Sequence, residues 1–427
     1  MTILIIAVFI SGYIAITAEH AMRINKAAIA LVTGVLCWTI YILFSDDKHL
    51  VSEELTDHLG ELSGILFFLL GAMTIVELMD AHGGFEIITE RITETDKRKL
   101  LWKVSLIAFF FSAVLDNLTA TIVMISLLRK LIKGEDNRLF FTGMIVIAAN
   151  AGGAWSPIGD VTTTMLWIGG QITASNIIIQ LIVPSLVCIL LPLTYLSFKL
   201  QGRVLRPDVV VDTNKQQLPP KHKYIVFFSG ISVLLLVPVF KTVTHLPPFM
   251  GMLIGLGILW IITEILHDQK DAEDKQALTV AHALRKIDSP SILFFLGILV
   301  SIAALQSVGI LTYLAQSLTK LLDNNYAMVI SIGLLSSIID NVPLVAATQG
   351  MFDLSQYPTD HYFWEFLAYC TGTGGSALII GSAAGVAAMG MEKISFSWYL
   401  RNITLLALAG YFAGAVTYIL QRQIFAL

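Results

Sequence analysis

Two Asp-Asn pairs stand where an apolar chain should least tolerate them: Asp116-Asn117 in "SAVLDNLTAT" (112–121) and Asp340-Asn341 in "SSIIDNVPLV" (336–345). A third acid, Asp160, closes the glycine-rich stretch "NAGGAWSPIGD" (150–160), whose counterpart "GTGGSALIIGS" (372–382) carries hydroxyls and no acid. Around them stand Ser112, Thr119, Asn150, Ser156, Thr162, Thr163, Ser336, Thr371, Thr373, Ser376 and Ser382. Every one of these side chains offers oxygen. Hard cations favour such sets of carboxylate, carbonyl and hydroxyl ligands, and what holds for Mg²⁺ and Ca²⁺ extends to Na⁺ and Li⁺. An anion site would instead want Arg or Lys, and none lies within these four segments. A carboxylate near the bilayer centre costs about 2.5 to 3.5 kcal/mol on insertion scales, so three of them ask for a functional reason. Burial and mutual repulsion favour protonation whenever a bound metal ion leaves, which makes cation and proton competitors for the same oxygens. Asp116, Asn117, Asp340 and Asn341 are therefore the expected centre of a Na⁺ or Li⁺ site. A plainer role is open to the same acids, because Asp and Asn also cap helix N-termini.

Apolar chain must position these groups. Of 427 residues, 56% are hydrophobic and 14% charged, and the mean hydropathy is +0.77. That balance excludes a soluble multi-domain enzyme and predicts an all-α polytopic membrane protein. Runs of spanning length, not short alternating strands, argue against a β-barrel. The first run, residues 3–17, lacks a basic leader and is followed at once by another, so it is expected to be retained. Single spans are expected near 3–17, 27–44, 61–79, 140–172, 176–198, 224–241, 249–266, 291–307, 363–390 and 398–420. The segments 104–133 and 325–350, each interrupted by its Asp-Asn pair, read as hairpins that enter and leave by one face. With the N-terminus outside, only Lys48, Lys241, Lys320 and Arg422 of the 27 Lys and Arg fall outside, as the positive-inside rule requires. Both termini are then extracytoplasmic.

An internal repeat organises the chain. "LFFLLGAMTIVEL" (66–78) echoes "LFFLGILVSIAAL" (293–305), and the two Asp-Asn segments and the two glycine-rich segments echo each other at offsets of 224 and 222. Because the first copy opens toward the inside and the second toward the outside, the halves are inverted, an arrangement of secondary transporters whose sites form where broken helices meet. The expected organisation is N-terminal helices over 1–60, a first repeat over 61–199 with hairpin 104–133 and broken helix 140–172, and a linker over 200–223. Scaffold helices with a cytoplasmic loop follow over 224–290, and a second repeat over 291–427 contains hairpin 325–350 and broken helix 363–390.

Other features weigh less. Glu77, with Asp80 and His82, ends the third expected span and is a candidate proton or ion entrance, as is Glu365 in the span carrying the second glycine break, although plain interfacial roles suit them too. "GTGGSA" (372–377) fits a dinucleotide pattern without the strand that such a site needs. Cys37, Cys188 and Cys370 are scattered through apolar segments without metal or redox spacing. No cofactor is expected, and nothing marks a nucleic-acid surface. Paired acids could also serve an intramembrane hydrolase, but that leaves the Asn partners and the glycine breaks without a purpose.

At "SAVLDNLTATIVM" (112–124), "ANAGGAWSPIGDVTTTM" (149–165), "SSIIDNVPL" (336–344) and "GTGGSALIIGSAAG" (372–385) the chain resembles the ion transporter superfamily, and within it the NhaD-type sodium/proton antiporters. The resemblance implies a non-enzymatic antiporter that exports Na⁺ or Li⁺ against inward H⁺. It carries ion-binding or transport positions onto Ser112, Asp116, Asn117, Thr119, Asn150, Asp160, Thr162, Thr163, Ser336, Asn341, Thr373 and Ser376, and it implies a homodimer in the lipid of a bacterial inner membrane, working by an elevator-like movement. Superfamily members that move carboxylates use Ser-Asn-Thr at the hairpin tips, where this chain has Asp in both halves. That difference disfavours the alternatives, a sodium-coupled carboxylate symporter or an arsenite or anion permease.

Overall fold

A computed structural model describes residues 1–17, 24–89, 91–207, 219–268, 278–322 and 324–425. Residues 208–218 of the expected 200–223 linker and 269–277 of the cytoplasmic loop therefore lie outside the described residues. Among the described residues all regular elements are helices, twenty in number, and seven of the helices are long and apolar enough to cross a membrane. In order they are α1 (Thr2–Thr17), α2 (Lys26–Phe44), α3 (Lys48–Ala81), α4 (Glu86–Thr89), α5 (Lys97–Leu115), α6 (Asn117–Leu131), α7 (Glu135–Ala154), α8 (Val161–Ile168), α9 (Ala174–Lys199) and α10 (Pro220–Thr244). They continue with α11 (Pro248–Leu266), α12 (Val280–Lys286), α13 (Ser289–Ser307), α14 (Ile310–Leu321), α15 (Asn325–Leu335), α16 (Asn341–Met351), α17 (Tyr362–Gly374), α18 (Ala383–Glu392), α19 (Phe396–Asn402) and α20 (Thr404–Phe425).

Length decides what the interrupted helices can do. At 1.5 Å per residue the 11-residue α15 and α16 are each about 16 Å long, half of a hydrocarbon core of roughly 30 Å, so neither can cross alone. Their outer ends are held together: Asn325 Nδ2 donates to Tyr362 Oη at 2.9 Å, Tyr357 Oη donates to Asn325 Oδ1 at 3.2 Å, and Phe352 lies 5.6 Å from the Tyr357 ring. The same holds for α5 and α6. Lys97 N donates to Gly202 O and Lys133 N to Leu205 O, so the beginning of α5 and the end of α6 meet one short segment. These ends lie at the side of the molecule where Glu86 pairs with Lys223 (2.6 Å) and Lys130 (3.7 Å).

Two apolar clusters make up most of the core. The larger is built by α5 to α9, α17 and α20, with Phe109, Phe141, Trp364 and Tyr369 fully buried. The second joins α1, α2, the middle of α3 and α13, and takes Val342 and Ala346 of α16 against its side. Within it α2 and α13 approach backbone to backbone: a Cβ on Gly34 would stand 2.8 Å from Gly297 O, and Trp38 Nε1 donates to Val300 O at 2.9 Å. The three cysteines are free and buried.

Several expectations change. The third span starts at Lys48, not near 61, and its helix is 34 residues long, about 51 Å, well beyond the hydrocarbon thickness. Its first half carries Glu53, Glu54, Asp57 and Glu61, which a hydropathy window discards, although an Asp47 side chain capping His49 N and Leu50 N starts a helix there. Residues 310–321, expected to be a loop, form α14, with Leu311 and Ala315 buried and Tyr313 and Leu321 exposed. Only one side of that helix is apolar and buried, which averaging over a window conceals. The last expected span divides at Ile403 into α19 and α20.

Candidate cation site

Asp116 is the one residue between α5 and α6. Its backbone takes φ 84° and ψ 157°, a region nearly reserved for glycine that costs a residue with a Cβ about 1–3 kcal/mol. The carboxylate holds the turn: Oδ1 accepts from Thr119 N and Oδ2 from Thr119 Oγ1, both at 2.8 Å. Asp340 holds the second tip by accepting from Val342 N at 3.3 Å, and Asp160 caps α8 by accepting from Thr162 N at 3.4 Å. All three acids thus do the capping that the plainer reading assigns them. Asp160 also does more, because its carboxylate meets Asn341 of the second tip.

The four interrupted segments meet in two hydrogen-bonded sets that share the first broken helix. Asn117 Nδ2 donates to Asn150 Oδ1 (3.1 Å), while Asn150 Nδ2 donates across to Ser376 Oγ (3.0 Å) and Ser382 Oγ (2.9 Å). From the other tip, Asn341 Nδ2 donates to Asp160 Oδ2 at 3.2 Å. Asn117, Asn150, Asp160, Asn341, Ser376 and Ser382 are all at most 4% exposed. Buried amides and acids joined this completely form a rigid polar centre in an apolar bundle.

Supporting contacts recur 222 to 225 positions apart. Ser112 Oγ donates to Ala149 O, and Ser336 Oγ to Thr371 O. A Cβ on Gly152 would fall 2.1 Å from Phe109 O, and one on Gly374 would fall 2.0 Å from Gly333 O. A Cβ on Gly159 would meet Ser112 O at 2.7 Å and one on Gly381 would meet Ser337 O at 2.6 Å. Glycine is needed in these places because hairpin backbone lies directly on the broken helix.

Not every expected residue points into this centre. Thr373 Oγ1 donates to Tyr369 O within its own helix, and Thr163 Oγ1 donates to Ala154 O at 3.4 Å. Glu365 is 1% exposed and lies away from the tips, accepting from Asn176 Nδ2 and Tyr418 Oη at 2.5 Å each, with Arg422 at 3.5 Å. Glu77 lines a cavity of about 430 Å³ with Lys26, Asp80, Thr119, Lys286 and Asp288. It pairs with Lys286 at 3.6 Å. Through Thr119 the cavity reaches to one hydrogen bond from Asp116, and a separate space of about 20 Å³ touches Asp116 directly, room for one water.

Two charged partners escaped the sequence reading. Lys26 Nζ stands 3.7 Å from Asp340 Oδ2, and Glu392, with its side chain fully buried, receives Arg129 Nε and Arg138 Nε at 2.7 Å each. Both pairs join residues more than 250 positions apart, so no local spacing announces them. The only clue was Lys26 at the start of an apolar run, where it counted merely as a topology marker.

Comparison with known proteins fits this geometry. Sodium/proton antiporter 2 of Arabidopsis thaliana is 47% identical over 410 residues, covering 96% of this chain and 97% of its own. This chain belongs to the NhaD-type sodium/proton antiporter family. Sodium/proton antiporter 1 of the same plant is also 47% identical, over 96% of this chain and 70% of its own length. The Na(+)/H(+) antiporter NhaD of Alkalimonas amylolytica is 28% identical over 92% of this chain and 85% of its own. The broader family described as "Citrate transporter" matches residues 3–368. In this NhaD-type chain the match takes in both hairpins and the first broken helix, so the polar centre lies inside it except for Ser376 and Ser382.

Proposed function

We propose that the chain is a secondary active transporter that exchanges cytoplasmic Na⁺, or Li⁺, for external H⁺ by alternating access. The observation that carries this reading is the pair of buried hydrogen-bonded sets of oxygen and amide groups that tie each hairpin tip to the broken helices, with Asp116 and Asp340 at the tips and Asp160 within the second set. Half-helix ends and carboxylates together suit a dehydrated monovalent cation, and the same carboxylates accept protons once it leaves. The names of the relatives support Na⁺ and H⁺ as the ions. The cavity lined by Glu77 and Asp80 is the entrance for ions on its side. The two hairpins and two broken helices act as inverted repeats in an elevator-like homodimer of a bacterial inner membrane, with both termini outside the cytoplasm.

Proteoliposomes with an imposed pH gradient test this directly. Additions of Na⁺ or Li⁺ should collapse the gradient between pH 7 and 9, and absence of any cation-dependent collapse would defeat the reading. A carboxylate symporter is the second reading, because the family match is to a citrate transporter. Uptake of citrate or succinate driven by a Na⁺ gradient, with no pH gradient imposed, would establish it instead.

A further inference from the structure

We infer that Lys26 is a tethered cation of the transport site: its ammonium occupies Asp340 when no transported ion does, and must leave when Asp340 engages one. The inference rests on the antiporter reading and adds a residue to it. The two tips are alike in sequence and unlike in surroundings. The Asp116 carboxylate is held from within its own hairpin, chiefly by Thr119, and among the described residues it has no ion-pair partner. The Asp340 carboxylate accepts one long bond from Val342 N and faces Lys26 Nζ at 3.7 Å. One acid is thus open to an incoming ion, and the other already holds a positive charge.

The ammonium is well placed for this work. Lys26 is the first residue of α2, fixed by Asn25, whose Oδ1 accepts from Ala27 N at 2.8 Å. Because α2 locks onto α13 through Gly34 and Gly297, the Lys26 backbone does not belong to the hairpin that carries Asp340. Its Nζ also sits 4.4 Å over the Phe294 ring of α13, a resting place for a cation released from a carboxylate. Lys26 lines the same cavity as Thr119, so an ion entering there reaches the hydrogen-bond partner of Asp116 on one side and the ion-pair partner of Asp340 on the other. An ammonium at a carboxylate and a metal ion at that carboxylate exclude each other, so the lysine opposes cation binding and aids release.

The test is Na⁺-dependent exchange in proteoliposomes for wild type, Lys26→Met and Lys26→Arg, read as apparent KM and kcat, together with Na⁺-induced thermal shift of the purified proteins. Lys26→Met should lower the apparent KM for Na⁺ by about fivefold or more and lower kcat with it, since coupling within one site commonly spans 5- to 150-fold. Lys26→Arg, which keeps the charge, should return both constants toward wild type. Should Lys26→Met not accumulate in the membrane, Lys26→Gln takes its place. Exchange by wild type with both constants unchanged in the neutral variants overturns the assignment of Lys26 alone. Equal loss of kcat in the Met and Arg variants at constant KM marks a structural anchor and overturns it too. A wild type that shows no Na⁺-dependent exchange or thermal shift overturns the antiporter reading, and this inference falls with it.

Discussion

At the scale of single residues, Asp116 combines strain, capping and an open carboxylate. Asp116→Asn keeps the acceptor for Thr119 N but removes the charge, so it should reduce exchange at least a hundredfold while the protein still accumulates in the membrane; near-normal exchange would remove Asp116 from the mechanism. Asp116→Gly separates the two roles, since glycine takes φ 84° freely. Its loss of the Thr119 cap is offset by relieved strain, and the expected result is a midpoint of thermal unfolding within a few degrees of wild type with exchange abolished. Asn150 was one hydroxyl-or-amide candidate among many in the sequence. The structure makes it the bridge, with three partners in two other segments. Such centrality depends on which helices cross, and no spacing along the chain encodes that.

Elements show where packing energy is concentrated. Gly374→Ala places a carbon 2.0 Å from Gly333 O and requires backbone to move, whereas Gly257→Ala on α11 meets nothing within 4 Å. The first should destabilise by roughly 1–3 kcal/mol through overpacking. The second should be neutral or stabilising by up to about 1 kcal/mol, because alanine favours helix over glycine. Thermal unfolding in detergent compares them, and equal midpoints would contradict the close contact. Glu392 offers a second comparison. Arg138→Ala leaves a buried carboxylate with one partner fewer and should cost about 3–5 kcal/mol, while a Glu392→Met, Arg138→Met pair should recover much of that loss. The hairpins and glycine breaks were legible because Asp, Asn, Gly and Pro interrupt apolar runs conspicuously. The amphipathic α14 and the polar first half of α3 were not, because hydropathy windows average away a helix with one buried side or with an acidic extension into water.

The whole molecule sets the sidedness. Glu86, Arg129, Lys130, Arg138, Lys223 and Glu392 gather at one end, and Trp167, Lys241, Gln349 and Asp360 belong to the other, where Lys241 Nζ donates to Trp167 O and Asp360 N to Gln171 O. Cysteines placed at Ser289 and at Thr359 should therefore react with impermeant thiol reagents from opposite sides of intact cells. Labelling of both from one side would refute the proposed topology. Sequence reached this arrangement through the basic residues, since each lysine or arginine reports its side independently of how helices pack. It could not reach the partnership of Lys26 and Asp340, which exists only because two distant helices cross there.

The contacts of Gly152 with Phe109 and of Gly374 with Gly333 have a mechanical consequence. Surfaces that interlock backbone against backbone cannot shear past one another without a collision of main-chain atoms, so neither hairpin can part from its broken helix to let an ion through. Any displacement that changes which side the site faces has to carry hairpin and broken helix as one body. In the alternating access proposed above, slippage is then confined to the seam between that body and the α2–α13 pair, along which the cavity runs and which the Lys26 side chain crosses.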